Sequence, residues 1–205
     1  VASASVHIAE IFTTGLSGLS HLRLGNVDRK LMLRLLVPGV IGGVLGALVV
    51  TQLDGAALKP WISGYLLLMG LYVLTKAWRH RRTPPREPRH VAKLALFGGF
   101  VDAAGGGGWG PVVTTSLVGA GQDPRRTIGS VNFAEFFIAI ASAGAFVLFI
   151  DAAPWATVAG LVAGGMFAAP LAAFLCRALP ARALLVLVGT LISALSAYNL
   201  LKALG

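Results

Sequence analysis

Residues 98–137 read GGFVDAAGGGGWGPVVTTSLVGAGQDPRRTIGSVNFAEFF, the segment with the strongest structural signal in the chain. Four consecutive glycines, Gly105 to Gly108, are followed by Trp109, Gly110 and Pro111 inside a chain that is otherwise strongly apolar. The apolar runs on either side are about 13 residues long, too short to cross a hydrocarbon layer that requires roughly 20 helical residues. The stretch therefore predicts two half-helices that meet at a bend.

A bend of this kind leaves backbone N–H and C=O groups without helical partners. Lipid offers no partners either, so such backbone is tolerated only where protein or a polar cavity surrounds it. Polar side chains in an apolar layer are costly and tend to be functional. The stretch carries six of them: Asp102, Thr114, Thr115, Ser116, Asn132 and Glu135. We expect the cavity beside the bend to be the functional site.

The composition is that of an integral membrane protein. Hydrophobic residues make up 56% of the chain and charged residues 12%, against about a quarter charged in an ordinary globular domain. A net charge of +9 would suggest nucleic acid in a soluble protein. Here the basic residues fall between apolar segments, so we expect membrane lipids and no nucleic acid. A single cysteine, Cys176, excludes an intrachain disulfide, and we expect no cofactor and no bound metal.

Six further segments have the length and composition of membrane-spanning helices. They cover residues 1–22, 31–53, 58–78, 128–150, 154–177 and 182–201, with turns at 151–154 and 176–180. A basic, proline-containing segment, residues 79–92, predicts an exposed linker without regular structure. The chain is thus divided into a first unit, residues 1–78, and a second unit, residues 93–205.

The two units resemble each other in sequence. At an offset of 125 positions, SVHIAEIF (residues 5–12) lies over SVNFAEFF (residues 130–137), and five of the eight positions are identical. This similarity indicates an internal duplication. About 33 residues of the second unit have no counterpart in the first, so we expect the intact protein to carry another glycine-rich hairpin upstream of this chain.

The distribution of basic residues predicts how the units are oriented. If the half-helix pair enters and leaves on one side, each unit is a hairpin plus three spans, and the two copies have opposite orientations. On this layout 15 of the 17 Lys and Arg residues lie on one side, and only Lys59 and Lys202 lie on the other. The positive-inside rule makes the basic side cytoplasmic. We therefore predict an all-α membrane protein with an inverted-topology internal repeat and broken, re-entrant helices.

Inverted repeats with broken helices are typical of secondary transporters. A helix N-terminus presents unpaired N–H groups and a partial positive charge, and so favours an anion. A second half-helix that starts near Pro111 would aim its N-terminus at the bend, with the hydroxyls of Thr114 and Thr115 one turn further on. The spans offer no Lys or Arg within the membrane, so we expect weak, reversible binding of a small anion.

Glu10 and Glu135 occupy equivalent places in the two units. An apolar environment favours the neutral form of a carboxyl group, which makes a proton-coupling role reasonable. A structural clasp between helices and direct contact with the cargo remain open for both residues. His7 lies opposite Asn132, and it is either a bonded packing residue or a titrating one. Asp102 either lines the cavity or caps a broken helix end.

The glycine-rich stretch and its partial repeat, ASASVHIAEIFTTGLSG, resemble the sulfite exporter TauE/SafE family of bacterial membrane permeases. The resemblance implies a multi-pass protein of the bacterial inner membrane that exports sulfite, sulfoacetate or related organosulfur anions. By position it implies a set of substrate-binding residues, and it places Glu10 and Glu135, which we expect to be the proton-coupling residues, in the same cavity. The substrate-binding set is Gly105, Gly106, Gly107, Gly108, Trp109, Gly110, Thr114, Thr115, Asn132, Ser5 and His7.

The predicted function is secondary transport of a small anion by alternating access between the two units, and not enzymatic catalysis. An ion channel is the alternative, because the glycine run could supply carbonyl oxygens to a filter. An intramembrane enzyme is a weaker alternative, since the sequence has no Ser–His or Cys–His arrangement of credible spacing and no HExxH motif. The anion, the coupling ion and the oligomeric state stay open, and a homodimer is compatible with the sequence.

Overall fold

The computed structural model describes residues 2–52, 55–78, 90–149 and 155–204, and these residues are almost entirely helical. The α-helices are α1 (Ala2–Arg23), α2 (Arg29–Gln52), α3 (Gly55–Trp78), α4 (Val91–Gly105), α5 (Thr115–Gly119), α6 (Pro124–Val147), α7 (Trp155–Ala178) and α8 (Ala181–Leu204). A π-helical turn, Gly110–Thr114, leads directly into α5. The predicted all-α class is confirmed.

Four of these helices are long and apolar enough to cross a membrane. They are α2, α6, α7 and the Arg182–Lys202 part of α8. Large apolar side chains on their outer faces are exposed, as a lipid environment requires; Phe167 of α7, for example, is 85% exposed. Together with the composition, this arrangement is that of a multi-pass membrane protein.

The helix bounds agree with the predicted spans to within a few residues. One difference is the turn expected at residues 176–180, which is shorter because α7 continues to Ala178 and includes the buried Cys176. The predicted linker, apart from its last residues, and the turn at 151–154 lie outside the described residues.

The predicted interruption between two half-helices is confirmed. α4 ends at Gly105, and Gly106 has a left-handed φ of 69° while its N–H donates to the Asp102 carbonyl at 2.7 Å. Gly107 has a φ of 134°. Residues with a Cβ rarely adopt these angles, so the glycine run is what permits the chain to turn. The second arm then packs back on the first, with Trp109 and Val113 beside Gly98.

The hairpin formed by α4, the π-helical turn and α5 is seated on α2 and α6. Glycines of α2 allow the backbones to approach closely, since a Cβ on Gly46 would lie 2.5 Å from the Phe100 carbonyl oxygen. Small residues at such interfaces are usual in membrane helix packing. The core cluster centres on Trp109, Leu35 and Ile138, all fully buried.

The remaining helices form two further sets of contacts. α1 packs against α6 and α7, and α3 pairs with α8. The start of α2 is tied to α6, because the Asp28 N–H donates to Ser130 Oγ at 2.7 Å. The N-terminus of α6 is capped by Asp123, whose Oδ1 accepts from the Arg126 N–H at 2.8 Å. The bundle therefore holds the bend next to the N-terminal half of α1.

Candidate functional site

A buried imidazole and a buried carboxylate meet where the bend touches α1. His7 and Asp102 are 0% and 1% exposed, and His7 Nε2 lies 3.3 Å from Asp102 Oδ2. Glu10, one turn further along α1, places Oε2 3.9 Å from the same nitrogen. We call His7, Glu10 and Asp102 the bend cluster. Asp102 stands eleven residues into α4, roughly 16 Å of helix from Val91.

Asp102 caps a broken helix end, which is one of the two roles that its position in the sequence allowed. Its Oδ1 accepts from the Trp109 N–H at 2.9 Å, so the carboxylate caps the start of the second arm. Its Oδ2 faces His7. A carboxylate that accepts from a backbone N–H at a helix start is favourable through both the hydrogen bond and the helix dipole. The same side chain thus stabilises the bend and supplies negative charge to the cluster.

A hydrogen bond joins the first turn of α1 to the bend, and a second one within α1 orients His7. Ser3 Oγ donates to the Ala103 carbonyl at 2.6 Å. His7 Nδ1 lies 2.8 Å from the Ser3 carbonyl oxygen, and because a carbonyl only accepts, Nδ1 is the nitrogen that donates. The His7 ring also packs against Phe146, with ring centroids 5.6 Å apart. These contacts fix the orientation of the imidazole.

Glu135 of α6 adds a further carboxyl to this region. It is partly buried and interacts electrostatically with both Glu10 and Asp102. Equivalent residues of the two units, Glu10 and Glu135, are thus brought near each other, with Asp102 as a third acidic group. Three carboxyl groups in an apolar surrounding repel one another unless protons or a cation offset their charge.

The glycine run borders open space. A Cβ added to Gly107 or Gly110 would meet no other heavy atom within 4 Å, whereas a Cβ on Gly106 would lie 3.5 Å from the Ser3 Cα. Gly105 and Gly107 are exposed and Gly108 is buried. Part of the predicted substrate-binding backbone is accordingly accessible from the open side of the bend.

The other residues predicted to bind substrate lie in different surroundings. Trp109 is fully buried and its Nε1–H donates to the Val131 carbonyl at 2.9 Å. Thr115 donates its hydroxyl to the Pro111 carbonyl of its own helix. Thr114 and Thr115 line a small space that faces α3 and α8. Ser5 is buried, and Asn132 is partly buried.

A second feature, a basic cleft of about 490 Å³, lies at the opposite end of α1. Its lining contains three arginines, one carboxylate and three uncharged residues. They are Arg125, Arg126, Arg177, Asp123, Leu24, Gly25 and Asn26. It is separated from His7 by about 17 residues along α1, roughly 25 Å. In the sequence these arginines served only as indicators of membrane orientation. Arg125 and Arg126 lie in the first turn of α6, and Arg177 lies near the end of α7. The fold brings these two helix ends together beside the loop between α1 and α2.

The comparisons with known proteins agree with this architecture. A family model described as sulfite exporter TauE/SafE matches residues 1–199. The probable membrane transporter protein YtnM of Bacillus subtilis (strain 168) is 42% identical over 212 aligned residues, which cover 98% of this chain and 70% of that protein. No solved structure gives a significant match.

Proposed function

The chain belongs to the sulfite exporter TauE/SafE family of membrane transporters, and from this premise we propose that it exports a small organosulfur anion such as sulfite or sulfoacetate. The observation that carries the proposal is the interrupted helix, whose glycine backbone borders open space beside the buried polar residues of the bend cluster. Backbone of this kind within a membrane is typical of transporter binding sites. The chain is therefore a member of a transporter family, and we propose no enzymatic reaction for it.

The basic cleft supports an anionic cargo and a direction. The side chains of Arg125, Arg126 and Arg177 give the cleft a net positive charge despite Asp123. By the positive-inside rule this end of the bundle lies on the cytoplasmic side of the inner membrane. A cleft lined by one sign of charge raises the local concentration of an oppositely charged solute. The cleft would therefore collect the anion on the side from which export begins.

Proton coupling is the second part of the proposal. An anion that approaches the bend meets Asp102, Glu10 and Glu135, whose negative charge opposes its binding. Protonation of Glu10 and Glu135 reduces that opposition to the charge of Asp102, and release of the protons on the other side restores it. Binding of the anion and of the protons then depend on each other, which is the requirement for coupled transport.

The helix contacts support alternating access between two related units. α1 packs on α7, and α2 packs on α6, which are equivalent pairs if the repeat relates α1 to α6 and α2 to α7. In detail, a Cβ on Gly165 would meet Thr13 and a Cβ on Gly39 would meet Ile138. Thr13 and Ile138 differ by the same 125 positions that relate the sequence repeat, and Gly39 and Gly165 differ by 126.

Flux through proteoliposomes tests the proposal. Efflux of sulfite and of sulfoacetate is measured with the native chain, with and without a pH gradient that is acidic inside the vesicles. The measurement is repeated with Glu135→Gln and Glu10→Gln. We expect the gradient to accelerate efflux by the native chain. It should have little effect on either variant, because glutamine does not take up or release a proton. Asn199→Gln, on the exposed side of α8, is the control and should behave as native.

Absence of flux of both anions by native protein would reject the proposed cargo. Flux by Glu135→Gln that still follows the pH gradient as native flux does would reject the proton coupling and leave the transport proposal intact. Currents far above carrier rates would favour the channel alternative instead.

A further inference from the structure

His7 presents a nitrogen lone pair to two carboxylates. Since Nδ1 donates to the Ser3 carbonyl at 2.8 Å, the neutral ring has its free lone pair on Nε2. That nitrogen faces Asp102 Oδ2 at 3.3 Å and Glu10 Oε2 at 3.9 Å. A lone pair aimed at two carboxylate oxygens is repulsive, so the geometry requires positive charge among the three atoms.

The same three atoms lack hydrogen-bond partners. Among the described residues, His7 Nε2, Glu10 Oε2 and Asp102 Oδ2 are all buried and none accepts or donates a hydrogen bond. An unsatisfied buried polar group costs about 1–3 kcal/mol, and more when it is charged. A proton on Nε2 would satisfy the pair of His7 and Asp102, whereas a ligand at the point where the atoms converge would satisfy all three together.

The separation between His7 Nε2 and Asp102 Oδ2, 3.3 Å, is that of two ligand atoms around one metal ion. Ligand bonds of about 2.0–2.2 Å at a tetrahedral angle place neighbouring ligand atoms roughly 3.3–3.6 Å apart. A direct hydrogen bond to a carboxylate would instead bring nitrogen and oxygen to about 2.7–2.9 Å. The three atoms lie within 4.8 Å of one another. Glu10 Oε2, which lies 3.9 Å from His7 Nε2, would have to move closer to complete the set.

We propose that His7, Glu10 and Asp102 bind a divalent transition-metal cation. Imidazole nitrogen suits zinc, iron, nickel and copper, whereas sodium, magnesium and calcium favour oxygen ligands alone. The surrounding contacts are those that usually support such a site. The second ring nitrogen of His7 donates to a backbone carbonyl, and the second oxygen of Asp102 accepts from the Trp109 N–H. Glu135 adds negative charge nearby.

The metal site shares Glu10 and Asp102 with the proposed transport. A bound cation offsets carboxyl charge where an anion would have to pass, and metal and proton exclude each other at Glu10 because ligands bind in their deprotonated form. The inference itself concerns equilibrium binding only. Its test uses no gradient and no anion, so a failure of metal binding and a failure of flux are distinguishable.

Zinc is the probe for the binding test. The full chain is purified in detergent, treated with a chelator and titrated with zinc chloride at pH 7 by isothermal titration calorimetry. We expect saturable binding of one ion per chain. His7→Asn, which copies the residue at the equivalent position of the second unit, and Glu10→Gln should each lower the affinity by more than about tenfold. His90→Asn removes an exposed histidine at the start of α4 and should leave the affinity unchanged.

Thermal unfolding controls for damage to the fold. Zinc should raise the melting temperature of the native chain, because a ligand that binds only the folded state stabilises it, and it should not raise that of His7→Asn. Glu10→Gln replaces a carboxylate whose Oε2 makes no hydrogen bond among the described residues, so this variant is expected to fold as native. The proposal is overturned if native protein shows no saturable binding, if His7→Asn or folded Glu10→Gln binds zinc as native does, or if His90→Asn loses binding.

Discussion

Two substitutions of Asp102 separate its role in the bend from its charge. Asp102→Asn keeps an oxygen that accepts from the Trp109 N–H, and Asp102→Ala does not. Both variants remove the negative charge that faces His7, so the loss of that interaction is common to the two. The difference in stability between them therefore reports mainly on the capping hydrogen bond, which is 2.9 Å long and buried, together with the packing that alanine lacks.

The size of the difference follows from the burial of the site. A buried donor left without a partner costs about 1–3 kcal/mol, and no other acceptor is bonded to the Trp109 N–H among the described contacts. We expect the free energy of unfolding of Asp102→Ala to lie about 1–3 kcal/mol below that of Asp102→Asn. At about 1.4 kcal/mol per factor of ten, this corresponds to roughly a 5- to 150-fold difference in the unfolding equilibrium.

The measurement is unfolding of the purified chain in mixed micelles with increasing sodium dodecyl sulfate, followed by circular dichroism. Native protein, Asp102→Asn and Asp102→Ala are compared under the same conditions. Equal stability of the two variants would refute the conclusion that the carboxylate caps the second arm. Both variants should lose zinc binding to the same extent, since each removes the charged ligand.

Two further predictions concern packing around the bend. Gly46→Ala should lower the free energy of unfolding by about 1–3 kcal/mol, because its Cβ would lie 2.5 Å from the Phe100 carbonyl oxygen. Gly164→Ala is the matched control, since its Cβ would meet nothing within 4 Å. It should raise the free energy of unfolding by about 0.5–1 kcal/mol, because alanine has the higher helix propensity. The same unfolding assay measures both, and a Gly46→Ala chain as stable as Gly164→Ala would contradict the close packing of α2 on α4. Trp109→Phe should lower stability by about 1–3 kcal/mol, because it removes the hydrogen bond to the Val131 carbonyl and leaves a void beside it; an unchanged transition in that variant would show that the indole does not hold the bend.

The helices and the interruption were predictable from the sequence because each rests on local information. Long apolar segments between basic loops predict spans, and four consecutive glycines break a helix whatever surrounds them. The structure bears this out at Gly106 and Gly107, whose backbone angles are positive. The capping role of Asp102 was among the alternatives, since it lies three residues before the glycine run.

The bend cluster could not be predicted because its members are far apart in the chain. His7 and Asp102 are separated by 95 positions, and no spacing motif connects them. Their meeting depends on how α1 packs beside α4, which is set by tertiary contacts such as Ser3 to Ala103. The basic cleft was missed for the same reason. Arg125 and Arg177 belong to different helices, and only the folded bundle brings them to one space.

The tryptophans are distributed in a way that is useful for spectroscopy. Trp61, Trp78 and Trp155 are 80%, 81% and 68% exposed, whereas Trp109 at the bend is 0% exposed. Quenchers dissolved in water or attached to lipid tails will reach the first three and spare the fourth. The emission that survives quenching therefore reports on the hairpin alone, and a conformational cycle that uncovers the hairpin will be seen as a loss of that protected fluorescence, without any introduced label.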